Sequence, residues 1–341
     1  MLKNARSQPL PLPLLQISGL RVEFPRSGGR TVRAVRDVDL EIFEGETLGL
    51  VGESGCGKST LGRAILRVIE PTAGRIDFLG LDITHLRGSV FRRVRADLQM
   101  VFQDPFGSLN PRRRVADIIA EPLLRSRGAS RAEAAQKVGE LLDLVGLGRE
   151  AGDRRPREFS GGQRQRIGIA RALASSPKFI VADEPVSALD VSIQAQIVNL
   201  LSDLTQDRGL TTLFISHDLG VVRHVADRVA VMYLGQIIEV AERDAFFAGP
   251  AHPYSEALLS SVPTLDRQLQ HPRQRERIVL DGDLPDPADP PSGCLFHTRC
   301  RYAVDQCRTT APELRELEPG RTVRCHLPLT IGPAVKEGAP Q

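Results

Sequence analysis

Residues 52–60 carry the side chains whose types and spacing point most directly to chemistry. They read GESGCGKST and match the pattern G-x-x-x-x-G-K-[ST] at every fixed position. Glycine is needed where a backbone takes positive φ or approaches a phosphate closely, and consecutive N–H groups in such a turn point inward at an anion. Lys58 is placed to reach the β- and γ-phosphates, and the Ser59 hydroxyl is placed to hold Mg²⁺. We therefore predict a nucleoside triphosphate site formed by Gly52, Glu53, Ser54, Gly55, Cys56, Gly57, Lys58, Ser59 and Thr60.

Two carboxylates follow an apolar strand farther along the chain. Residues 179–182 are apolar throughout and are followed at once by Asp183 and Glu184. Asp183 can hold Mg²⁺ directly or through water, and Glu184 lies one residue farther out, where it can polarise a water opposite the γ-phosphate. His217 follows the next strand and suits a hydrogen bond to the γ-phosphate. Because ligands of open α/β sheets bind at the carboxyl ends of strands, we expect these groups to meet there.

Residues 160–163, with the sequence SGGQ, open a second helix that runs through Ile167, Ala170 and Leu173. Such a helix start is an anion site, because its N–H groups are unpaired and its dipole favours negative charge. One nucleotide does not need two such sites in one chain. We therefore expect two copies to face each other, each capping the nucleotide of the other with Ser160, Gly161, Gly162 and Gln163.

The surrounding sequence predicts the elements that position these groups. Residues 46–51 form an apolar strand before the loop. One face of the helix after the loop is formed by Leu61, Ala64, Ile65, Val68 and Ile69. Strands alternate with helices between residues 47 and 217, which indicates a mostly parallel sheet covered on both faces. Two or three strand-like segments in residues 17–45 predict an antiparallel layer beside it, so the fold class is α/β.

The middle of the chain changes character after the strand at residues 98–102, which ends in a polar turn beginning at Gln103. Residues 112–158 have Arg-rich flanks and predict a helical insertion, whose apolar stripe is Val138, Leu141, Leu142 and Val145. Past Pro250 the pattern loosens, and residues 282–292 read as a stiff, acidic, proline-rich linker.

Composition narrows the class of protein. The chain has 341 residues, an apolar fraction of 41% and a net charge of +3, so nothing global demands nucleic acid as a partner. Residues 1–16 are interrupted by three prolines and lack a continuous apolar core, so we do not expect them to be a signal peptide. No apolar run approaches the roughly 18 residues that a spanning helix needs. We therefore expect a soluble cytosolic protein, held at a membrane only through a partner.

Five cysteines are present, and Cys56 lies at a variable position of the loop, where its thiol is incidental. The other four are spaced C-x5-C-x6-C-x17-C. A cytosolic chain rarely keeps structural disulfides, so four thiolates indicate tetrahedral zinc or an iron–sulfur cluster. The C-x2-C pairs usual for zinc are absent, which favours the cluster. The predicted ligands are Cys294, Cys300, Cys307 and Cys325, with His297 and His326 as alternatives. A metal would also stabilise a tail of about fifty residues, which has too little core to fold alone.

Taken together, these motifs resemble an ATP-binding-cassette (ABC) ATPase across roughly residues 14–250. The motifs that carry the resemblance are residues 52–60, Gln103, residues 159–163, Asp183, Glu184, residues 188–190 and His217. The resemblance implies a P-loop NTPase fold with an antiparallel β layer and a helical subdomain. It also implies that Lys58, Ser59 and Thr60 bind the phosphates and Mg²⁺, and that Asp183 and Gln103 contact the metal. An aromatic residue should stack on the adenine, and we assign Phe24, which otherwise is a core strand residue.

Further roles follow from the same resemblance. Ser160 and Gly162 would contact the γ-phosphate of ATP held by a second ATPase subunit, and Asp190 would bridge the two halves. Glu184 would be the catalytic base and His217 the switch. Gln103 would in addition couple hydrolysis to a transmembrane partner.

A narrower resemblance rests on residues 100–111, residues 252–259 and the four-cysteine tail, which are similar to ATPase subunits of bacterial dipeptide and oligopeptide importers. It implies a paralogue or a second copy as ATPase partner, two transmembrane permease subunits, an external solute-binding protein, and a peripheral place on the cytoplasmic face of the bacterial inner membrane. It also implies a [4Fe–4S] cluster in the tail. Importers of nickel or another small solute, a soluble ABC ATPase, and a non-catalytic regulatory subunit remain alternatives.

The predicted organisation has four parts. These are a flexible N-terminus at 1–13, an ATPase domain at 14–250 with its insertion at about 104–160, a connector and linker at 251–292, and a small cysteine-rich C-terminal domain with a flexible tail at 293–341.

Overall fold

The computed structural model describes residues 12–26, 29–187, 189–261, 277–280 and 282–329. Ala188, the predicted flexible ends at 1–11 and 330–341, and residues 262–276 of the predicted connector lie outside the described residues. The strands are β1 (Pro13–Pro25), β2 (Thr31–Phe43), β3 (Thr47–Val51), β4 (Ala73–Phe78), β5 (Leu81–Asp82), β6 (Leu98–Val101), β7 (Phe179–Asp183), β8 (Thr211–Ile215), β9 (Arg228–Tyr233), β10 (Gln236–Glu242), β11 (Arg315–Glu318) and β12 (Arg321–Val323).

Helices connect most of these strands. They are α1 (Lys58–Ile65), α2 (Gly88–Asp97), α3 (Pro105–Ser108), α4 (Val115–Pro122), α5 (Arg131–Leu144), α6 (Gly161–Leu173), α7 (Val191–Arg208), α8 (Leu219–Val225), α9 (Arg243–Ala248), α10 (Pro253–Ser260) and α11 (Asp305–Thr309). A π-helical turn covers Leu123–Arg127, and 3₁₀ turns cover Arg149–Asp153, Pro156–Glu158 and His297–Arg299. In the part of the chain just defined, no helix is long and apolar enough to cross a bilayer.

The larger sheet has the strand order β11-β12-β10-β9-β3-β8-β7-β6. Strands β9, β3, β8, β7 and β6 run parallel to one another, whereas β10, β12 and β11 are added by antiparallel pairing. Every residue of β3, β7 and β8 is buried, as expected for central strands with both faces covered. The mostly parallel sheet predicted from the strand–helix alternation is confirmed.

The smaller sheet is antiparallel throughout and has the order β2-β1-β4-β5. The apolar side chains on one face of β1, among them Leu15 and Ile17, pack into the same core as Leu61 and Ile65 of α1 and the strand β3. Helix α1 is thereby fixed against both sheets. The antiparallel layer predicted ahead of the phosphate loop is confirmed.

The insertion between β6 and β7 is helical, and its two longer helices α4 and α5 pack against α6. Helix α5 begins at Ser130, whose hydroxyl accepts a hydrogen bond from the Glu133 N–H in a capping box. The predicted apolar stripe is buried and joins the core that also holds α6 and β7. The structure therefore confirms the helical character of this segment.

The prediction for the helix after the phosphate loop is wrong at its far end. Helix α1 stops at Ile65, and Arg67 takes a left-handed φ of 53°. The N–H groups of Val68 and Ile69 both turn back to the Arg63 carbonyl, which closes the helix. The Val68 side chain is 52% exposed instead of lying on the buried face. The apolar spacing continues past the point where the backbone reverses.

The cysteine-rich tail is not a separate small domain in the described part of the chain. Strand β12 pairs with β10 of the ATPase sheet, with Glu239 opposite Val323 and Val240 opposite Thr322. Phe296 packs against the rings of Tyr233 and Tyr254, at centroid distances of 5.3 and 5.4 Å. The tail thus obtains its core from the ATPase sheet. Over the described residues, the small domain predicted at 293–341 is joined to that sheet through β12.

The proline-rich linker also lies against the ATPase core. Arg26 Nη1 lies 3.1 Å from Asp286 Oδ2, and Arg36 Nη2 donates to the Pro287 carbonyl at 2.6 Å. Residues 282–292 therefore cross the antiparallel sheet on their way to the cysteine-bearing segment.

Candidate active site

The loop at residues 52–60 connects the buried strand β3 to the start of α1, as the sequence predicts. Gly57 precedes the helix with φ of 110°, and Gly52 has φ of 153°. A Cβ at Gly57 would lie 2.2 Å from the Ala34 carbonyl oxygen, and one at Gly52 would lie 2.2 Å from the Met232 carbonyl oxygen. Strands β2 and β9 press so closely on the loop that only glycine fits at both positions.

Lys58 is buried at the centre of this loop. Its Nζ donates to the Gly52 carbonyl at 2.8 Å and to the Glu53 carbonyl at 2.9 Å. The buried Cys56 Sγ lies 3.9 Å from the same ammonium, and burial raises the pKa of its thiol. A positive charge ringed by backbone dipoles and followed by a helix start is an arrangement that binds phosphate.

A divalent cation site fits the residues next to the loop. Ser59 Oγ donates to Asp183 Oδ1 at 2.7 Å, which joins α1 to the end of β7. Asp183 is fully buried, and its Oδ2 atom has no hydrogen-bond partner. Burial raises the pKa of the Asp183 carboxyl, opposed by the hydrogen bond from Ser59 and by Arg63, whose Nη2 is 3.7 Å from Oδ2. A buried, unsatisfied carboxylate oxygen beside a hydroxyl is a hard-oxygen donor set that suits Mg²⁺.

Glu184 lies beside this pair and is contacted by two of the predicted side chains. Gln103 Nε2 donates to Glu184 Oε2 at 3.0 Å, and His217 Nδ1 is 3.4 Å from the same oxygen. These residues follow β6, β7 and β8, which are neighbours in the sheet. A carboxylate held by an amide and an imidazole at the sheet edge can orient a water molecule and accept its proton.

The second predicted anion site is the start of α6. Ser160 caps the helix, accepting the Gln163 N–H on its Oγ while its own N–H donates to Gln163 Oε1 at 3.0 Å. A Cβ on Gly162 would lie 2.4 Å from Ile193 Cγ2, so this glycine allows α6 to approach α7 closely. In the described ranges, no hydrogen bond joins this helix start to the phosphate loop. The two anion sites of one chain are separate features.

Two other predicted site residues, Asp190 and Phe24, lie before α7 and on β1. Asp190 precedes α7, and its carbonyl accepts the N–H groups of Ile193 and Gln194. Phe24 lies on β1 opposite Val32 and is 38% exposed, so it is not a core residue.

The four cysteines of the tail converge although they come from different elements. Cys300 follows a 3₁₀ turn, Cys307 lies in α11 and Cys325 follows β12. One cavity is lined by Cys294, Cys300, Cys307, Cys325, His252, His297 and His326. Burial raises the pKa of the Cys300 thiol to about 11 and that of the Cys325 thiol to about 12. Across the described residues, no three His, Cys, Asp or Glu side chains are grouped as ligands of a metal ion.

Two residues that the sequence did not single out contact the phosphate loop. Tyr254 and Arg299 both bind Glu53 from the C-terminal part of the chain. Tyr254 lies within residues 252–259, which the sequence analysis used only for the resemblance to importer ATPases. Arg299 had no sequence signal, because its contact spans 246 residues.

Two protein-family models match the chain, one over its N-terminal half and one over its C-terminal part. The family model described as "ABC transporter" matches residues 35–187, and the one described as "Oligopeptide/dipeptide transporter, C-terminal region" matches residues 238–307. The first match contains the phosphate loop and the carboxylates of β7. The second contains most of β10, all of α10 and three of the four clustered cysteines.

Relatives resemble the chain over nearly its full length. YkfD of Bacillus subtilis (strain 168) is 53% identical over 317 residues, covering 93% of this chain and 96% of the relative. AppF of the same strain, an oligopeptide transport ATP-binding protein, is 51% identical over 321 residues, covering 92% and 97%.

Solved structures agree on the fold. The dimeric post-hydrolysis structure of the ATP-binding cassette MJ0796 bound to ADP and Pi is 30% identical, with a TM-score of 0.61, and covers 67% of this chain and 98% of that chain. CbiO1 from Clostridium perfringens is 28% identical with a TM-score of 0.61, covering 69% and 91%. The chain therefore belongs to the ATP-binding subunits of ABC transporters, in the oligopeptide and dipeptide branch of that family.

Proposed function

We propose that this chain hydrolyses ATP to power import of dipeptides or oligopeptides through a permease, acting at the cytoplasmic face of a bacterial inner membrane. The observation that carries the proposal is the convergence of Gln103, Glu184 and His217 beside the Ser59–Asp183 pair at one sheet edge. The peptide cargo rests on relatives such as AppF, which carries oligopeptide transport in its name.

Nucleotide binding is assigned to the loop and the start of α1. Loop N–H groups and the Lys58 ammonium hold the β- and γ-phosphates, with Thr60 in the first turn of α1. Ser59, Asp183 and Gln103 hold Mg²⁺, which neutralises charge on the phosphates when bound. Because Gln103 Nε2 is engaged by Glu184, its amide oxygen is the atom left to face the metal. Phe24, partly exposed on β1, is assigned to the adenine.

Hydrolysis is assigned to Glu184 as general base. A water oxygen forms a bond to the γ-phosphorus, the bond from that phosphorus to the bridging oxygen breaks, and ADP leaves with the bridging oxygen. The proton lost by the water goes to the Glu184 carboxylate. His217 contacts the same carboxylate and is positioned to sense whether the γ-phosphate is present.

The complete site requires a second ATPase subunit, either a paralogue or another copy. Residues 160–163 and Asp190 serve the nucleotide of that partner. The exposed Ser160 at an anion-binding helix start, unconnected by hydrogen bonds to the phosphate loop of its own chain, supports this arrangement. The related MJ0796 cassette is dimeric in its solved structure. The two permease subunits are proposed to contact the region of Gln103 and the helical insertion at about 104–160. An external solute-binding protein is proposed to deliver the peptide.

The cysteine cavity is proposed to hold a [4Fe–4S] cluster with a structural role. Its support is the convergence of Cys294, Cys300, Cys307 and Cys325 on one space. Zinc bound by the same four thiolates is the alternative, and it would need them within about 2.3 Å of one point. A four-iron cluster is larger than a single ion and is held by thiolates that stand farther apart.

Analysis of anaerobically purified protein tests the metal assignment. About four iron atoms per chain with visible absorbance are expected, both lost when the four cysteines are replaced by serine. Zinc at one atom per chain, without visible absorbance, would overturn the assignment.

Reconstitution in liposomes with the permease subunits encoded by adjacent genes tests the transport function. We expect ATP hydrolysis to be stimulated by a peptide-loaded binding protein, and a Lys58→Ala complex to lose it. Stimulation by a nickel-loaded binding protein instead would overturn the cargo. Failure of the chain to co-purify with any membrane subunit would favour a soluble ABC ATPase.

A further inference from the structure

Glu53 occupies a variable position of the phosphate loop, yet two contacts from far downstream hold it. Its carboxylate accepts hydrogen bonds from Arg299 Nη1, at 3.1 Å to Oε1 and 3.0 Å to Oε2. Its backbone N–H donates to Tyr254 Oη at 2.8 Å. Arg299 and Tyr254 lie 246 and 201 residues along the chain from Glu53. The C-terminal region therefore contacts the nucleotide loop directly.

Both contacts are partly shielded from water. The Arg299 side chain is 8% exposed and the Glu53 side chain is 27% exposed. Tyr254 is fully buried, and burial raises the pKa of its hydroxyl, which therefore stays neutral. The Arg299 guanidinium also borders the Tyr233 hydroxyl. Charge-assisted hydrogen bonds in such surroundings are strong, and removal of one partner leaves the other charge uncompensated.

The contact with Tyr254 reaches Lys58 through a single peptide unit. The Glu53 N–H and the Gly52 carbonyl belong to the same trans peptide, so they point in opposite directions. With the N–H fixed on Tyr254, the carbonyl points at Lys58, whose Nζ donates to it at 2.8 Å. The next carbonyl, that of Glu53, also accepts from Lys58, at 2.9 Å. The orientation of one peptide plane thus sets the position of the ammonium group.

The contact with Arg299 compensates the negative charge of the Glu53 carboxylate. A carboxylate in a loop that receives a triphosphate adds like-charge repulsion unless a cation offsets it. Arg299 supplies that cation and holds the Glu53 side chain against the C-terminal region.

We propose that Arg299 and Tyr254 are positioning residues of the nucleotide site, which make ATP affinity depend on the C-terminal region being docked. The proposal rests on the proposed function of residues 52–60. It assigns this region a role in the ATPase reaction itself, beyond any metal that its cysteines hold. Arg299 immediately precedes Cys300, so the loop contact and the cysteine cavity share one short segment.

The test is equilibrium binding of the magnesium complex of a non-hydrolysable ATP analogue to the full-length chain, measured by calorimetry. We expect Arg299→Met to raise Kd about tenfold, the loss of roughly one charge-assisted hydrogen bond. Adding Glu53→Gln to that variant removes the uncompensated carboxylate and should return Kd to within about threefold of the wild type. If Arg299 acted only on the stability of the tail, a substitution in the loop would not restore Kd.

Arg301→Met is the matched control. Arg301 lies two residues away and pairs with the buried Glu256 at 3.1 Å, in the same region but away from the loop. Its replacement should leave Kd unchanged. Should Arg301→Met raise Kd as much as Arg299→Met does, tail stability would explain the loss and the proposal would be overturned.

A second variant covers the case in which Arg299→Met fails to fold. Tyr254→Phe keeps the packed ring and removes only the hydroxyl, and it should raise Kd about fivefold. Unchanged affinity in this variant, or a Glu53→Gln change that brings no recovery to Arg299→Met, would overturn the proposal. If instead the wild type does not bind the analogue, or Lys58→Ala binds it equally well, it is the proposed function that fails.

Discussion

Among single residues, Glu184 has the environment expected of an oriented base. Its backbone takes φ of 44°, a costly value for a residue other than glycine, and its N–H donates to the Ile215 carbonyl at 3.0 Å. The backbone turn after β7 thus directs the carboxylate towards Gln103 and His217.

Replacing Glu184 by Gln keeps the shape of this side chain but removes its basicity. We expect phosphate release by the assembled transporter to fall at least about 100-fold, the lower end of the contribution of a general base. Nucleotide binding should persist, because the loop and the Mg²⁺ ligands are intact, and an ATP-bound closed dimer should accumulate. Phosphate release and gel filtration with ATP measure the two effects, and wild-type turnover in this variant would refute the base assignment.

Replacing Asp183 should have opposite effects on the stability of the metal-free protein and on its stabilisation by MgATP. Its carboxyl is fully buried with one oxygen unsatisfied, and burial raises its pKa, so the ionised form opposes folding without a cation. Asp183→Asn still accepts the Ser59 hydrogen bond but carries no charge. We expect a higher Tm than the wild type in EDTA, together with loss of the further Tm gain that MgATP gives the wild type.

The matched control for Asp183→Asn is Asp244→Asn, which changes an exposed carboxylate paired with Arg243 on the surface. It should leave both Tm values within about 1 °C of the wild type. If Asp183→Asn keeps the full MgATP-dependent gain, Asp183 does not hold the cation.

Among secondary-structure elements, the sequence predicts best where local pattern and tertiary packing agree. Strands β3, β7 and β8 are apolar runs that are buried along their whole length, so composition alone identifies them. The predicted end of α1 is wrong because the apolar spacing continues past Ile65, where the helix ends. Beyond that point the Arg67 guanidinium donates a hydrogen bond to the Ile83 carbonyl. Ile83 follows β4 and β5, so a pattern read from the sequence around α1 does not include it.

The close approach of α6 to α7 gives a prediction about Gly162. A methyl group there would lie 2.4 Å from Ile193 Cγ2, on a β-branched side chain with little rotamer freedom in a helix. Gly162→Ala should lower the free energy of unfolding by about 2 kcal/mol, as overpacking does. Adding Ile193→Ala should recover most of that loss, measured by urea unfolding.

The neighbouring glycine supplies the control for this prediction. A Cβ on Gly161 would lie 3.4 Å from Leu189 Cδ2, an ordinary contact, so Gly161→Ala should cost little stability. Equal losses at both glycines, or no recovery with Ile193→Ala, would mean that the helix start is sensitive for another reason than contact with α7.

At the scale of the whole molecule, the C-terminal region is part of the ATPase fold. Sequence analysis predicts a small cysteine-bearing domain after the proline-rich linker and expects a metal to stabilise it, because about fifty residues have too little core to fold alone. The structure joins it to the edge of the main sheet through β12 and through Arg321, whose Nη2 donates to Glu239 Oε1 at 2.7 Å. The same glutamate accepts the N–H groups of Ala251 and His252, so one buried carboxylate ties β10, the start of α10 and the tail together.

This arrangement predicts that the tail and the ATPase core unfold as one unit. Arg321 is only 2% exposed and Glu239 is fully buried, so Arg321→Met leaves an uncompensated charge and should lower the free energy of unfolding by about 3 kcal/mol. Glu318→Gln removes the exposed partner of the same arginine and should cost less than about 0.5 kcal/mol. Calorimetry of the full-length protein should show one transition that moves to lower temperature in Arg321→Met. Two transitions in the wild type, with only the smaller one moved by Arg321→Met, would mean that the tail folds separately and that its contacts with Glu53 and Glu239 are those of a docked domain.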